Sequence, residues 1–252
     1  MILPNRYTTV NLSGPENRKP NPSVLITGAS SGLGRELAIQ FARAGYSCIL
    51  SGRNPAELLR TSRLATENGT PCTVPLTTIS GDLREVKTIN RLTEMMRVYN
   101  TRTLISCASV YSNLPLESCD NADDILLTNL VATVNVVRAA YEIFKTSMEG
   151  TIVNINSVAG KAASENESVY AASKHGLTGF FRALRLEARH QNIRILDVFT
   201  GGMKTPMTKD RPDWDYLIDP VEAAKIIFPA VINSPQSLQI DEITLSRFRF
   251  PM

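Results

Sequence analysis

Three side chains define the chemistry this chain could perform. Ser157 stands just past an apolar run at 151–155 (TIVNI) that reads as a buried strand. Tyr170 follows thirteen residues later, and Lys174 four after that. Leu177, Phe180, Phe181, Leu184 and Ala188 then recur at spacings of three and four, the apolar stripe of an amphipathic helix. A helix beginning near Ser168 places Tyr170 and Lys174 one turn apart on one face. An ammonium beside a phenol favours the phenolate, so the pair could donate and accept a proton near neutral pH. Spacing alone proves little, because Tyr141 and Lys145 share it on another predicted helix. That second pair has no strand and serine before it, and it reads as amphipathic packing with a solvated lysine.

The elements that must position these groups alternate along the chain. Residues 23–27 (SVLIT) form a short apolar strand, the turn Gly28-Ala29-Ser30-Ser31-Gly32-Leu33-Gly34 follows, and a helix runs over about 35–44, closed by Gly45. Strand, glycine turn and helix together make a dinucleotide loop. The glycines permit a tight turn and close backbone approach, and the helix N-terminus offers unpaired N–H groups to a pyrophosphate. A second strand at 47–50 leads to Ser51-Gly52-Arg53. An acid about twenty positions past the loop would bind a ribose 2′-hydroxyl. Arg53 stands there instead, and a guanidinium suits a 2′-phosphate, which favours NADP over NAD.

Asn54-Pro55 caps a helix through about Glu67, ended by Asn68-Gly69. A third strand at 73–79 runs to Gly81-Asp82-Leu83, where Asp82 is an adenine contact, the cap of a helix over about 85–99, or both. A fourth strand at 103–107 gives way to a loop with Tyr111 and Pro115. A long helix over about 122–145 carries Asn129, either a solvated residue or a placed polar group. A sixth strand at 193–199 ends at Gly201-Gly202, and 203–217 reads as a flexible lid. Asp219-Pro220 caps a helix to about Ile232, and 238–245 is the last strand. The alternation predicts one α/β domain over 23–252, doubly wound around a mostly parallel sheet. Residues 1–22, rich in Asn, Pro, Gly and Ser, read as an extension that is disordered or laid along the surface or a partner subunit.

Composition narrows the classes. A chain of 252 residues can bury a substantial core, and its 43% hydrophobic and 20% charged content is that of a soluble globular protein. A net charge of +3 without a basic run argues against nucleic acid or an anionic membrane as partner. Cys48, Cys72, Cys107 and Cys119 lie far apart, and His175 and His190 are the only histidines, so neither a metal site nor a disulfide framework is supported. The N-terminus has no apolar h-region and no bilayer-length run, so a cytoplasmic enzyme is expected.

Thr27-Gly28-x-x-x-Gly32-x-Gly34, Asp82, Asn129, Ser157 and Tyr170-x-x-x-Lys174, in that order, resemble the classical short-chain dehydrogenases/reductases over about 23–245. The resemblance implies a seven-stranded Rossmann sheet that binds NAD(P) and interconverts carbonyls and alcohols. It also implies a homodimer or homotetramer built through the helices carrying Asn129 and Tyr170. By the same resemblance Tyr170 protonates the carbonyl oxygen or takes the alcohol's proton, and Ser157 orients that oxygen and stabilises its developing charge. Lys174 would hold the nicotinamide ribose and lower the tyrosine pKa from about 10, while Asn129 would support a water leading protons to Lys174. Gly28, Ser30, Ser31, Gly32, Leu33, Gly34, Arg53, Asp82, Leu83, Ala108 and Thr205 would line the cofactor, Thr205 at the nicotinamide carboxamide.

Two departures bear on cofactor geometry and substrate. The family's Asn-Asn-Ala-Gly is here Ser106-Cys107-Ala108-Ser109, and its Pro-Gly after the sixth strand is Thr200-Gly201. Val110, Tyr111, Val158, Ala159, Met203 and Met207 would wall a mostly hydrophobic carbonyl compound. Lys204, Lys209 and Arg211 near the lid either attract an anionic group or are solvated. The alternative is a cofactor-binding sensor or scaffold without catalysis, which has no need of the hydroxyls and the lysine.

Overall fold

Val24, Leu25 and Ile26 are fully buried, which makes the first apolar run the centre of the sheet, β1 (Ser23–Thr27). The computed structural model describes residues 22–67, 75–235 and 237–248. Around β1 lie β2 (Ser47–Gly52), β3 (Leu76–Ser80), β4 (Thr103–Ser106), β5 (Gly150–Ser157), β6 (Ile193–Thr200) and β7 (Glu242–Leu245). The spatial order is β3-β2-β1-β4-β5-β6-β7, and every pairing is parallel, where the sequence indicated a mostly parallel sheet.

Alternate residues of each strand feed opposite layers. Val24, Ile26, Leu50 and Val198 pack with α1 (Gly32–Arg43), α2 (Pro55–Thr66) and α7 (Pro220–Ile232). Leu25, Ile49, Leu104 and Ile195 pack with α3 (Val86–Val98), α5 (Thr133–Ser147) and α6 (Ser168–Ala188). Phe41 on one side and Phe144 and Phe181 on the other are fully buried, each stabilising the fold by roughly 2 kcal/mol. Covering both faces explains why the strands read as unbroken apolar runs. The chain winds outward from β1 to β3 and then returns to place β4 on the other side of β1, so a crevice opens at the carboxyl ends of β1 and β4. This is a single-domain Rossmann-like fold.

Several boundaries differ from expectation. The predicted helix over 122–145 is present without a gap but is not α-helical throughout: α4 (Ala122–Leu126) passes through a π-helical stretch, Leu127–Ala132, before α5 begins. The third strand starts at Leu76, and the 68–74 stretch, with the Asn68-Gly69 stop and Cys72, lies outside the described residues, as does the extension over 1–21. The last strand is shortened from 238–245 to Glu242–Leu245, and Leu238 and Ile240 face solvent. Asp82 does not cap α3; Glu85 occupies that position, and the Asp82 carboxylate instead accepts the Arg84 N–H at 2.9 Å.

Candidate active site

The turn after β1 is shaped by what cannot fit there. Gly28 has φ +67°, and a Cβ on it would stand 2.9 Å from the backbone of Ala108. A Cβ on Gly34 would lie 2.3 Å from the Gly28 carbonyl oxygen. Thr27 Oγ1 accepts the N–H groups of Cys107 at 3.1 Å and Ala108 at 3.2 Å, joining the ends of β1 and β4. Arg35 donates to the Ser30 carbonyl and pairs with Glu57, which fixes the loop from behind. The Ser31 side chain makes no capping hydrogen bond, so it does not close off the first-turn N–H groups of α1.

A cavity of about 420 Å³ runs from this turn along the carboxyl edge of the sheet. Gly28, Ser30, Ser31, Gly32, Leu33, Arg53, Asp82, Leu83, Ala108 and Thr205 all line it, as do Ser157, Tyr170 and Lys174. Gly34 forms the turn without lining the cavity. The Asp82 carboxylate is held below its usual range chiefly by hydrogen bonds from the Arg84 side chain, with which it pairs at 2.6 Å. Thr128 Oγ1, also on the cavity wall, is buried with no hydrogen-bond partner. A glycine cradle, an exposed guanidinium at Arg53 and an unsatisfied hydroxyl on one wall fit a dinucleotide phosphate better than an apolar ligand.

At the other end, Ser109, Ser157, Tyr170 and Lys174 line the same cavity. Ser157 ends β5 and Tyr170 lies in the first turn of α6, so two independent elements bring these residues to one cavity. Tyr111 stacks edge-on against Tyr170 at 4.9 Å, donates to Glu167 Oε1 at 2.6 Å and accepts from Arg211 at 3.1 Å. The expected lowering of the tyrosine pKa is not found. Burial pushes the phenol up to about 12; Glu167 and Tyr111 push the same way, and the Ser157 and Ser109 hydroxyls pull it down. Lys174 is almost wholly buried, with Nζ 5.6 Å from the centre of the Tyr170 ring. Burial draws this ammonium down to about 8, against the opposing influence of Cys107 and Asp197.

Asn129 is fully buried and stands behind the cavity wall rather than on it. Its Oδ1 accepts from Val110 N–H at 2.7 Å and Ser109 Oγ at 3.1 Å, and its Nδ2 donates to Val110 O at 2.8 Å and Ser173 Oγ at 3.1 Å. Four partners satisfy the carboxamide completely. Val110, placed on the substrate wall by the sequence, is held in this clamp and does not line the cavity. Tyr111, Val158, Ala159, Met203, Met207 and Arg211 do line it, while Lys204 and Lys209 do not. The 203–217 run is braced: Arg211 holds Asp213 through two bonds of 2.8 and 2.9 Å, Arg247 reaches the same carboxylate, and Met203 bridges to Ile218.

Sequence reasoning overlooked Asp197, Asn154 and Asn156. Asp197 is buried within β6 and accepts from Asn154 Nδ2 at 2.8 Å and Asn156 Nδ2 at 3.2 Å; Asn156 Oδ1 in turn accepts the Ser157 N–H at 2.9 Å. The network fixes the backbone beneath the serine, and its signal was an acid inside the apolar run ILDVF. Glu167, three residues before Tyr170, and Arg247 were also overlooked, since lone charges outside a motif read as solvated. Among the described residues no cluster of His, Cys, Asp or Glu could hold a metal ion, and no helix is long and apolar enough to cross a membrane.

Residues 22–216 match the short chain dehydrogenase family model. Dehydrogenase/reductase SDR family member 7 of Mus musculus is 30% identical over 201 residues, 78% of this chain and 60% of that protein, so the chain spans less than two thirds of that relative's length. Sepiapterin reductase of Chlorobaculum tepidum is 32% identical over 224 residues, 84% of this chain and 87% of the relative. Among solved structures, an actinorhodin polyketide ketoreductase variant with NADPH matches with TM-score 0.80 at 23% identity, covering 90% of this chain and 96% of that one. Levodione reductase matches with TM-score 0.81 at 22% identity, covering 90% and 96%. At these identities the structural matches speak to the fold.

Proposed function

The chain belongs to the short-chain dehydrogenase family, and from that premise we propose that it is an NADP(H)-dependent oxidoreductase interconverting a carbonyl and an alcohol. The observation that carries the reading is that Ser157, Tyr170 and Lys174 line the same cavity as the glycine cradle of Gly28 and Gly32. NADPH, when bound, supplies the hydride. Gly28, Gly32 and Gly34 give its pyrophosphate room, Arg53 takes the 2′-phosphate, Asp82 and Leu83 border the adenine, and Ala108, Lys174 and Thr205 border the nicotinamide riboside. Tyr170 passes its phenolic proton to the substrate oxygen while Ser157 donates a hydrogen bond to the same atom. A phenol near 12 keeps its proton at neutral pH, which equips Tyr170 as the donor for carbonyl reduction. Asn129 acts by holding the loop that carries Ser109 and Val110.

Val158, Ala159, Met203 and Met207 favour a mostly apolar carbonyl compound as substrate. Exposed Leu127, Val131 and Leu186 on the helical layer with Asn129 and Tyr170 support a homodimer or homotetramer, and the free thiols of Cys107 and Cys119 accord with the cytoplasm. The test is a panel of ketones and aldehydes with NADPH and NADH. NADPH oxidation matched by alcohol formation is expected, and NADPH binding without turnover across the panel would favour a sensor.

A further inference from the structure

We propose that Asp197, which does not line the cavity, is a positioning residue for the reaction: by fixing which way the Asn156 amide faces, it locks Ser157 at the end of β5 to the turn of α6 that carries Lys174. The inference rests on the reading of Ser157 and Lys174 as groups that serve substrate and cofactor. Asn154 and Asp197 are direct partners across β5 and β6, and Asn156 lies two positions on, so the three side chains share one face of the sheet. The carboxylate is buried between the two amides, accepting from Asn154 Nδ2 at 2.8 Å and Asn156 Nδ2 at 3.2 Å. Asn156 carries the link onward. Its Oδ1 accepts the Ser157 N–H at 2.9 Å, and its Nδ2 also donates to Thr178 Oγ1 at 3.1 Å. The Thr178 hydroxyl in turn lies 3.0 Å from the Lys174 carbonyl oxygen and 3.1 Å from that of Gly160.

An asparagine amide has an acceptor end and a donor end of nearly equal size, so shape alone does not decide which way it lies. The Ser157 N–H only donates and a carboxylate only accepts, and the two together admit one orientation. Thr178 cannot make that choice, because a hydroxyl both donates and accepts. Without the carboxylate, a turned amide would set its Nδ2 against the Ser157 N–H, donor against donor, and the end of β5 would lose its tie to α6. The junction has no other slack. A Cβ on Gly160 would stand 2.8 Å from Thr178 Oγ1, 2.9 Å from the Lys174 carbonyl oxygen and 3.0 Å from Asn156 Oδ1. Misplacing a reacting group by about 1 Å can cost about a hundredfold in rate, so a smaller slip of Ser157 against Lys174 is measurable.

The experiment compares two variants of similar size on a ketone from the panel that the enzyme reduces. Asp197→Asn keeps an acceptor for Asn156, because Asn154 makes no other side-chain hydrogen bond among the described residues and can turn its own oxygen to the new amide. Its kcat is expected to stay within about twofold of wild type. Asp197→Leu removes the acceptor, and since a buried charge is itself costly, the fold should survive the exchange. Its kcat should fall about tenfold with KM unchanged. Rescue by Asn of what Leu loses is a pattern that altered packing does not give. Thr178→Val cuts the far end of the link and should lower kcat about threefold; it stands in if Asp197→Leu does not fold. Wild-type kcat in Asp197→Leu, or in its stand-in, overturns the inference, and so does a loss carried by KM alone. An equal loss in Asp197→Asn and Asp197→Leu also overturns it, by assigning the effect to charge. Ser157→Ala keeps the two claims apart. Lost turnover there beside unchanged kcat in Asp197→Leu overturns the role of Asp197 alone; retained turnover overturns both.

Discussion

Lys174 is held in the fold at a cost. Its ammonium is buried and drawn from 10.5 down to about 8, so the folded protein favours the neutral amine more than the unfolded chain does. Between those values the unfolded state binds more protons, and stability must rise as pH rises from about 8 toward 10.5. Below about pH 8 the whole penalty is present, on the order of 3 kcal/mol. Lys174→Met is therefore expected to melt higher than wild type at pH 7, with the gap closing as pH is raised through that window. Thermal melts of both proteins across pH measure it; a gap that widens with pH would show the sign to be wrong. The residues lost from the sequence reading are instructive here. The four-residue spacing of Tyr170 and Lys174 is a property of one helix and was legible. Their pKa values depend on burial by distant segments, on Glu167 and on the loop carrying Ser109, so the direction for Tyr170 was not.

Among elements, the π-helical turn is the informative one. Residues 122–147 have the composition of an ordinary helix, and the extra backbone width at Leu127–Ala132 marks where Asn129 leaves the regular ladder to hold Val110. A single placed carboxamide, paired with a loop nineteen residues upstream in sequence, leaves no periodic trace. The strand–glycine–helix unit does, because its elements follow one another directly and φ +67° at Gly28 admits few other residues. Asn129→Ala would strand the Val110 N–H and carbonyl and free the Ser109 hydroxyl. A loss of about 2–3 kcal/mol in urea denaturation is expected, with kcat falling although Asn129 does not line the cavity. Unchanged stability and unchanged kcat together would remove Asn129 from the account.

At the scale of the molecule, the sheet order decides where ligands go. The reversal between β1 and β4 opens one crevice, and the residues the sequence placed at the cofactor converge on it from α1, β2, β3, β4 and α6. A mostly parallel, doubly wound sheet was readable because buried strands and amphipathic helices alternate; the strand order was not. The bracing of 203–217 by Asp213, Arg211 and Arg247 was not, since it joins the region to the chain's end. Cofactor choice belongs to this scale as well, because Arg53 lines the same cavity as the catalytic residues proposed at its other end, and the proposed cofactor would have to span it. Arg53→Ala is expected to weaken NADPH binding about tenfold or more while leaving NADH unchanged, read by calorimetric titration of each cofactor. Equal losses for both would remove the 2′-phosphate role. The most direct test of the central claim is single-turnover carbonyl reduction by Tyr170→Phe, with NADPH affinity measured on the same sample. The account predicts a rate lowered by about a hundredfold or more with affinity unchanged, and a rate close to wild type would contradict it.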